Sequence, residues 1–297
     1  MPDFAKMRDQ MEKGAGFIAA LDQSGGSTPK ALALYGVDAG DYDGEEAMFA
    51  EIQKMRARIM SAPDFNSARV IGAILFEKTL GEAVDGQAVP AYLWEKRGVV
   101  PFLKIDKGLR DEGDDVQLLK PIPGLAATLA EARDMGVYGT KERSVINAAN
   151  AAGIKSIVAN QFDVAHEVIA AGMVPIIEPE VNIHSATKAE AEAMLADELM
   201  AHTETLGPGQ DIMLKLTLPE QPGLYDALAD HPRMVRVVAL SGGYSTVDAS
   251  ARLARNHKMI ASFSRALTEG LQRDMSDAEF EAALGRNIAM IHEASIT

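Results

Sequence analysis

The sequence of 297 residues contains no cysteine. Disulfide bonds, zinc sites built from thiolates and cysteine nucleophiles are therefore excluded. The six histidines are scattered and form no HxxxH or HxH pair, so the sequence does not indicate a histidine metal site either. We therefore expect a protein that uses no metal and no other cofactor.

Long hydrophobic runs are also absent. No run reaches the roughly 18 consecutive apolar residues from which a membrane-spanning helix is built. The first residues, MPDFAKMRDQMEK, are polar and mixed in charge, and they lack the apolar segment of a secretory signal peptide. These two absences predict a cytoplasmic protein without a membrane partner.

Positive charge is scarce relative to negative charge. The chain has 29 Lys and Arg residues against 43 Asp and Glu residues, and its formal net charge is −14. Because no basic stripe is available to phosphate groups, nucleic acid is not expected as a partner. An anionic small substrate would need a local basic pocket to overcome this field. The composition is compatible with a homo-oligomer but does not predict one.

Eight short strand-like segments are predicted, most of them followed by a segment of helical spacing. The predicted strands comprise residues 17–22, 70–76, 99–106, 135–143, 173–181, 211–218, 235–243 and 259–264. The predicted helices include residues 45–60, 125–134, 188–206 and 277–293. Gly153 is expected to separate two further helical stretches, which end at Ala171.

The order of these elements predicts the fold class. No Pro- or Ser-rich linker divides the chain, so we expect a single domain comprising residues 1–297. Alternating strands and helices over more than ~250 residues are typical of a (β/α)8 TIM barrel, in which catalytic groups lie at the C-terminal ends of the strands. A doubly wound open sheet is the alternative, but SGGS after the first strand is not the GxGxxG fingerprint of that fold.

The segment DIMLKLTL, residues 211–218, places one lysine inside an apolar run. With the two-residue period of a strand, residues 212, 214, 216 and 218 form an aliphatic face, and Met213, Lys215 and Thr217 lie on the other face. A lysine that faces a protein interior is costly unless it is paired or neutral. Taken alone, Lys215 is best explained by an ion pair or by an ammonium group that reaches solvent.

Charged and hydroxyl residues at the ends of the other strands give Lys215 a chemical setting. In a barrel one site would contain Asp22, Lys104, Lys141, Glu178, Glu180, Lys215, Ser241 and Arg265. An amine must be neutral to attack a carbonyl, and burial and nearby cations both favour the neutral form. A neutral Lys215 would form a Schiff base with a ketone, while the carboxylates move protons. A structural network of ion pairs is the alternative, and functional sites also carry such networks.

Two predicted phosphate sites flank this lysine. LSGG after the seventh strand and Arg265 after the eighth match the common phosphate site of barrels, where backbone N–H groups freed by Gly242 and Gly243 would hold a dianion. A second set of residues suited to a phosphate consists of Ser24, Ser27, Lys30 and Lys104. Two phosphate sites on either side of a lysine predict an elongated bisphosphate substrate.

Five motifs stand in order between residues 16 and 265: IAALDQSGGSTPKAL, FLKIDKG, PIIEPEV, MLKLTLP and ALSGG. Together they resemble the class I fructose-bisphosphate aldolases, the bacterial branch in particular. The resemblance implies a (β/α)8 barrel and the reversible cleavage of fructose 1,6-bisphosphate, in glycolysis and gluconeogenesis, to dihydroxyacetone phosphate and glyceraldehyde 3-phosphate. It implies a Schiff base on Lys215 and proton transfer by Glu178. The other implied catalytic residues are Glu180 beside Glu178, Asp22 at the C4 hydroxyl and Lys141 as a second active-site lysine.

The same resemblance implies which residues bind the phosphates. On the ketose side they are Ser241, Gly242 and Arg265. Positions at or near those that serve the distal phosphate are occupied by Ser24, Ser27, Lys104 and Arg143. The chain departs from the animal and plant enzymes at two positions of the site. Gln23 stands in place of a glutamate beside the aspartate, and Ser264 stands where a glycine precedes the phosphate-binding arginine.

Three other functions are alternatives to this one. Another Schiff-base barrel enzyme, such as a transaldolase-like enzyme or a monophosphate aldolase, does not account for two phosphate sites. A metal-dependent aldolase is disfavoured because the sequence contains no histidine cluster. A barrel reused as a binding scaffold would leave Lys215 with an ordinary titration and would form no covalent adduct.

Overall fold

The computed structural model describes residues 2–297. Its main sheet contains eight parallel strands whose spatial order follows the chain. They are β1 (Phe17–Leu21), β2 (Val70–Leu75), β3 (Val100–Lys104), β4 (Gly139–Ile146), β5 (Val174–Val181), β6 (Ile212–Thr217), β7 (Met234–Leu240) and β8 (Met259–Ala261). Strand β8 contacts β1, so the sheet forms a nearly closed barrel, and the predicted (β/α)8 fold is confirmed.

Helices precede, separate and follow the strands. They are α1 (Phe4–Lys13), α2 (Thr28–Leu34), α3 (Gly44–Ser61), α4 (Val89–Tyr92), α5 (Leu125–Asp134), α6 (Ala151–Ala170), α7 (Lys188–Thr203), α8 (Asp226–Ala229), α9 (Thr246–Leu253), α10 (Ser264–Thr268) and α11 (Asp277–Ser295). Among residues 2–297, no helix combines the length and the apolar character needed to cross a membrane.

Two apolar clusters hold the barrel together. The larger cluster lies between the outer face of the sheet and the helices, and from the β6 segment it contains Ile212, Leu214, Leu216 and Leu218. The smaller cluster fills the barrel interior with side chains such as Ile18, Phe102 and Met213. The two faces of segment 211–218 therefore divide as its alternating pattern predicts.

Helix α1 covers the N-terminal end of the barrel. Met7 and Met11 of this helix belong to the interior cluster, and Arg236 Nε of β7 donates a hydrogen bond of 2.8 Å to Met11 O. Helix α1 thereby closes the N-terminal end of the barrel, where the interior is apolar, to solvent. The charged residues lie above this apolar region, toward the C-terminal ends of the strands, where the barrel opens.

The observed elements differ from the predicted ones in several places. The predicted strand 259–264 ends at Ala261, and Ser264 already begins helix α10. Two larger differences concern β4 and α6. Strand β4 begins at Gly139 rather than at residue 135, because Met135 still ends helix α5 and Gly136 turns the chain with a φ of 89°. Helix α6 is continuous, so the predicted separation at Gly153 is wrong. The side chain of Asn150 accepts a hydrogen bond of 3.1 Å from Gly153 N and caps the start of this one helix.

Candidate active site

Four neighbouring strands carry the charged side chains of the interior. Lys104 ends β3 and is paired in register with Lys141 of β4. Glu178 lies in β5 and Lys215 in β6, each at a position that alternates with the outward-facing aliphatic residues. Because parallel strands place alternate residues on one face, these four side chains point into the same interior.

A chain of ion pairs runs through this interior. Lys215 Nζ lies 3.0 Å from Glu178 Oε1, and the other carboxylate oxygen of Glu178 lies 3.0 Å from Lys141 Nζ. Lys141 Nζ in turn lies 2.7 Å from Asp22 Oδ2, at the end of β1. Each of these side chains is 13% exposed or less, so the whole chain of contacts is shielded from solvent.

Neighbouring charges determine the protonation of this group. Burial opposes the ionisation of Asp22, but the charges of Lys141 and Lys215 outweigh burial, so the pKa of Asp22 lies well below its ordinary value. Burial also disfavours the charged form of Lys141, yet Asp22 and Glu178 raise the pKa of Lys141 well above its ordinary value. At neutral pH Asp22 is therefore a carboxylate and Lys141 an ammonium ion.

Asp106 belongs to the same group, although it was not among the predicted site residues. Its Oδ1 atom lies 2.7 Å from Lys104 Nζ, and its Oδ2 atom lies 4.0 Å from Lys141 Nζ. The sequence did contain a signal for Asp106, because it shares a strand face with Lys104 in FLKID. With Asp106 included, the ammonium groups of the interior are matched by carboxylates.

A cleft of about 790 Å³ opens onto this group. Six predicted site residues line it, namely Asp22, Ser24, Ser27, Lys104, Lys141 and Arg143. Lys215 and Glu178 lie just beyond Lys141 in the chain of ion pairs. The Ser27 hydroxyl donates to Ser24 O at 2.9 Å and accepts from Ser24 N at 3.0 Å. Ser27 therefore shapes the turn that forms one wall of the cleft.

Arg143 and Glu180 form an ion pair at the edge of the cleft. Arg143 Nε donates a hydrogen bond to Glu180 Oε2. Burial disfavours the charge of Arg143, but Glu180 raises the pKa of this arginine above its ordinary value. The Arg143 side chain is 42% exposed, so it offers a permanent positive charge at the mouth of the site.

The other predicted phosphate site lies across the barrel, after β7 and β8. Tyr244 N donates a hydrogen bond of 2.9 Å to Ser241 O, which closes a turn through Gly242 and Gly243 with φ values of 56° and 127°. A Cβ atom added to Gly243 would lie 3.7 Å from Arg265 Nη2. The turn and the guanidinium are therefore close neighbours, as a joint anion site requires.

Two helical side chains support the site and were not predicted. Arg56 of α3 is 1% exposed, and its Nη2 donates a hydrogen bond of 2.5 Å to Gln23 O. Burial lowers the pKa of Arg56 to about 10, although the nearby charge of Asp22 opposes the shift. Gln161 of α6 accepts a hydrogen bond of 2.9 Å from Glu178 N. Both residues reach the site through helix packing, for which the strand-end pattern gives no signal.

The donor groups of the interior do not form a metal site. Within the described chain, residues 2–297, no group of three or more His, Asp or Glu side chains is arranged to hold a metal ion. Lysine ammonium groups separate the carboxylates from one another. This composition suits covalent amine chemistry with proton transfer by carboxylates.

Known proteins of one family match nearly the whole length of this chain. The family model for fructose-bisphosphate aldolase class-I matches residues 4–221. The chain is 54% identical to fructose-bisphosphate aldolase class 1 of Synechocystis sp., over 97% of this chain and 96% of that relative. It is 50% identical to the class 1 enzyme of Porphyromonas gingivalis, over 97% of each chain.

A solved structure with the same fold is that of fructose-bisphosphate aldolase from Plasmodium falciparum in complex with TRAP and a small-molecule inhibitor. Its TM-score is 0.76 at 19% sequence identity, and the match covers 99% of this chain and 94% of that one. At this identity the likeness supports the fold alone, and the family assignment rests on the sequence matches. The chain belongs to the class I fructose-bisphosphate aldolase family.

Proposed function

We propose that this protein catalyses the reversible cleavage of fructose 1,6-bisphosphate to dihydroxyacetone phosphate and glyceraldehyde 3-phosphate through a Schiff base on Lys215. The observation that carries the proposal is the distance of 3.0 Å between Lys215 Nζ and Glu178 Oε1 in a shielded interior. A proton that moves along this contact leaves a neutral amine, the form that attacks a carbonyl. Family membership supplies the substrate.

The proposed reaction begins with imine formation. The Lys215 amine attacks the C2 carbonyl of the open-chain ketose, and the carbonyl oxygen takes up a proton to give a carbinolamine. Glu178 protonates the departing hydroxyl, water leaves, and an iminium ion remains. Glu178 suits this role because one of its oxygens contacts Lys215 while the other is held by Lys141.

Cleavage then uses the iminium ion as an electron sink. The Asp22 carboxylate accepts the proton of the C4 hydroxyl, and the C3–C4 bond breaks as its electron pair forms an enamine. Glyceraldehyde 3-phosphate leaves as the first product. Protonation of C3 and hydrolysis by water then release dihydroxyacetone phosphate and regenerate Lys215. Lys141 contacts both Asp22 and Glu178 and so holds the two side chains in position between proton transfers.

The two ends of the substrate would be held by different elements. The turn Ser241–Gly243 with Arg265 is assigned to the ketose-side phosphate. Residues of the cleft wall are assigned to the distal phosphate, namely Ser24, Ser27, Lys104 and Arg143. Glu180 would orient Arg143 for this contact. We further propose that residues 1–297 act as one catalytic domain and that the enzyme works in the cytoplasm.

Borohydride trapping tests the proposal directly. The protein is incubated with dihydroxyacetone phosphate, reduced, digested and mapped by mass spectrometry, and the adduct is expected on Lys215. Lys215→Met should abolish the adduct and lower kcat at least about a thousandfold, equivalent to ~4 kcal/mol of barrier. Lys155→Met, which removes an exposed lysine of α6, should retain both.

The outcomes separate the competing functions. An adduct on Lys104 or Lys141 would contradict the assignment of the nucleophile. The absence of any adduct in the unaltered protein would favour a binding scaffold. Equal cleavage of fructose 1-phosphate and fructose 1,6-bisphosphate would contradict the proposal of two phosphate sites and would favour a monophosphate aldolase.

A further inference from the structure

The turn Ser241–Tyr244 is held from outside the barrel by a polar network that the proposed reaction does not use. Two successive glycines, Gly242 and Gly243, both have positive φ. Glycine gives the backbone unusual conformational freedom, so the turn itself does little to fix its own orientation. The contacts made by Tyr244, the last residue of the turn, therefore decide where its N–H groups point.

Three donors converge on one oxygen atom of Glu220, which follows β6. Tyr244 Oη donates to Glu220 Oε1 at 3.1 Å, Lys188 Nζ lies 3.1 Å from the same atom, and Arg252 Nη1 lies 3.3 Å from it. The Arg252 guanidinium also lies over the Tyr244 ring, 4.3 Å from its centroid. Tyr244 is thus held through both its hydroxyl and its ring.

Glu220 is itself fixed to helix α7. Lys188 is 4% exposed, and its Nζ donates to Leu218 O at 2.9 Å and to Glu192 Oε1 at 2.5 Å. Glu192 Oε2 accepts a hydrogen bond of 3.0 Å from Glu220 N. Both the backbone and the side chain of Glu220 are therefore anchored to buried groups of α7.

We propose that Tyr244 and Glu220 are positioning residues that hold the turn Ser241–Tyr244 in the orientation that binds the ketose-side phosphate. The inference rests on the proposed function, which assigns that phosphate to this turn. The network pairs two cations, Lys188 and Arg252, with two carboxylates, Glu192 and Glu220. Because these charges balance, its effect on the phosphate comes from geometry rather than from net charge.

The test uses Tyr244→Phe, which removes one hydroxyl and leaves the ring over Arg252. Direct binding of each product is measured by calorimetry alongside steady-state cleavage of fructose 1,6-bisphosphate. We expect the dissociation constant of dihydroxyacetone phosphate to rise about three- to tenfold, the range of one hydrogen bond. The constant of glyceraldehyde 3-phosphate, which carries the distal phosphate, should change less than about twofold.

Two further variants make the test specific. Glu220→Gln keeps a carbonyl oxygen that can accept a hydrogen bond from the Tyr244 hydroxyl. It should therefore weaken the binding of dihydroxyacetone phosphate less than Glu220→Ala does. Tyr138→Phe removes a hydroxyl that has no hydrogen-bond partner among residues 2–297. It should leave the dissociation constants of both products and the turnover number unchanged. These comparisons separate the contact with Glu220 from a general effect of losing a hydroxyl.

Each result decides the inference. The positioning role is wrong if Tyr244→Phe binds dihydroxyacetone phosphate as tightly as the unaltered enzyme does. It is also wrong if the substitution weakens the binding of both products equally. In either case the aldolase proposal stands. If the unaltered protein neither cleaves the bisphosphate nor forms a trapped adduct, the proposed function fails and the inference fails with it. A selective loss of binding affinity for dihydroxyacetone phosphate supports both the positioning role and the proposed function.

Discussion

Replacing Lys141 by methionine is predicted to destabilise the fold strongly and in a pH-dependent way. The Lys141 side chain is 3% exposed and contacts Asp22 at 2.7 Å and Glu178 at 3.0 Å. Methionine is similar in size, so little packing is lost. The change instead removes the cation between two buried carboxylates, which is far more costly than removing both partners together.

The magnitude follows from charge balance. In Lys141→Met the interior holds one carboxylate too many, and the folded protein relieves this by keeping one carboxyl protonated. Protonating a carboxyl with an ordinary pKa of about 4 costs ~4 kcal/mol at pH 7 and ~1.4 kcal/mol at pH 5, at about 1.4 kcal/mol per pH unit. We therefore expect the loss in unfolding free energy to shrink by more than half between pH 7 and pH 5.

The unaltered protein does not share this dependence. Because the pKa of Asp22 is lowered in the folded state, its stabilising contribution is present above the unfolded pKa and is lost only as the pH falls below that value. Because the pKa of Lys141 is raised, its contribution is present below the unfolded pKa of a lysine. Both contributions are essentially complete at pH 5 and at pH 7. A difference in the loss of unfolding free energy between the two pH values therefore comes from Lys141→Met and not from the unaltered protein.

Urea unfolding followed by circular dichroism at the two pH values measures the effect. Lys141→Met/Asp22→Asn restores the charge balance and should recover more than half of the loss at pH 7. Lys107→Met breaks an exposed pair with Glu77 and should cost under ~1 kcal/mol at either pH. An equal loss at pH 5 and pH 7, or a loss below about 1 kcal/mol at pH 7, would refute the reasoning.

Two further predictions concern residues next to the last barrel strand, β8. Arg265→Ala should raise KM for the bisphosphate at least about tenfold, since one charge-assisted hydrogen bond contributes ~1.5–3 kcal/mol. Arg255→Ala is the control. An unchanged KM in Arg265→Ala would show that the phosphate binds elsewhere. Ser295→Ala leaves Ala261 N, which donates to the Ser295 hydroxyl at 3.0 Å, without its buried acceptor. Urea unfolding should show a loss of about 1–3 kcal/mol. Ser250→Ala, whose hydroxyl has no partner in residues 2–297, should show less than half of that loss.

The sequence predicted strand β6 well and strand β4 less well, for a physical reason. In β6 every outward residue is aliphatic, so the two-residue period is clear. In β4 the residues alternating with Lys141 and Arg143 are Thr140, Glu142 and Ser144, which are polar yet buried. Burial raises the pKa of Glu142 well above its ordinary value. A buried polar outer face gives no hydrophobic period from which to locate the strand.

Helix α6 shows a different limit of local patterns. Gly153 resembled a break between two helices, because glycine is unfavourable inside a helix. The structure gives a tertiary reason for it, since a Cβ atom at this position would lie 2.1 Å from Asp114 O. The loop that contains Asp114 is distant in the sequence until the barrel forms. A single sequence cannot distinguish a glycine required by such a contact from one that ends a helix.

The candidate site was predictable where its residues stand on the inward faces of the strands. Parallel strands bring those faces together, so alternation and strand order place Lys215, Glu178 and Lys141 in one interior before any coordinates are known. The Schiff base on Lys215 and proton transfer by the carboxylates were predicted from their chemistry, the resemblance made the individual roles specific, and all of these roles remain predictions. Arg56 and Gln161 could not be found in this way, because they stand on helices whose rotation about the barrel is set by packing. Helix periodicity indicates that such residues are buried but does not identify their partners.

The two departures from the animal and plant pattern are explained together by one contact. Gln23 Nε2 donates a hydrogen bond of 2.8 Å to Ser264 Oγ, whereas a glycine at position 264 would offer no hydroxyl. The contact links the ends of β1 and β8, so it connects the residue after Asp22 to the residue before Arg265. A glutamate at position 23 would add a negative charge to this connection, and glutamine does not. The chain thus links the segment that carries Asp22, the proposed catalytic carboxylate, to the segment that carries Arg265, the proposed phosphate ligand, through a neutral hydrogen bond, and Gln23 and Ser264 each supply one partner of that bond.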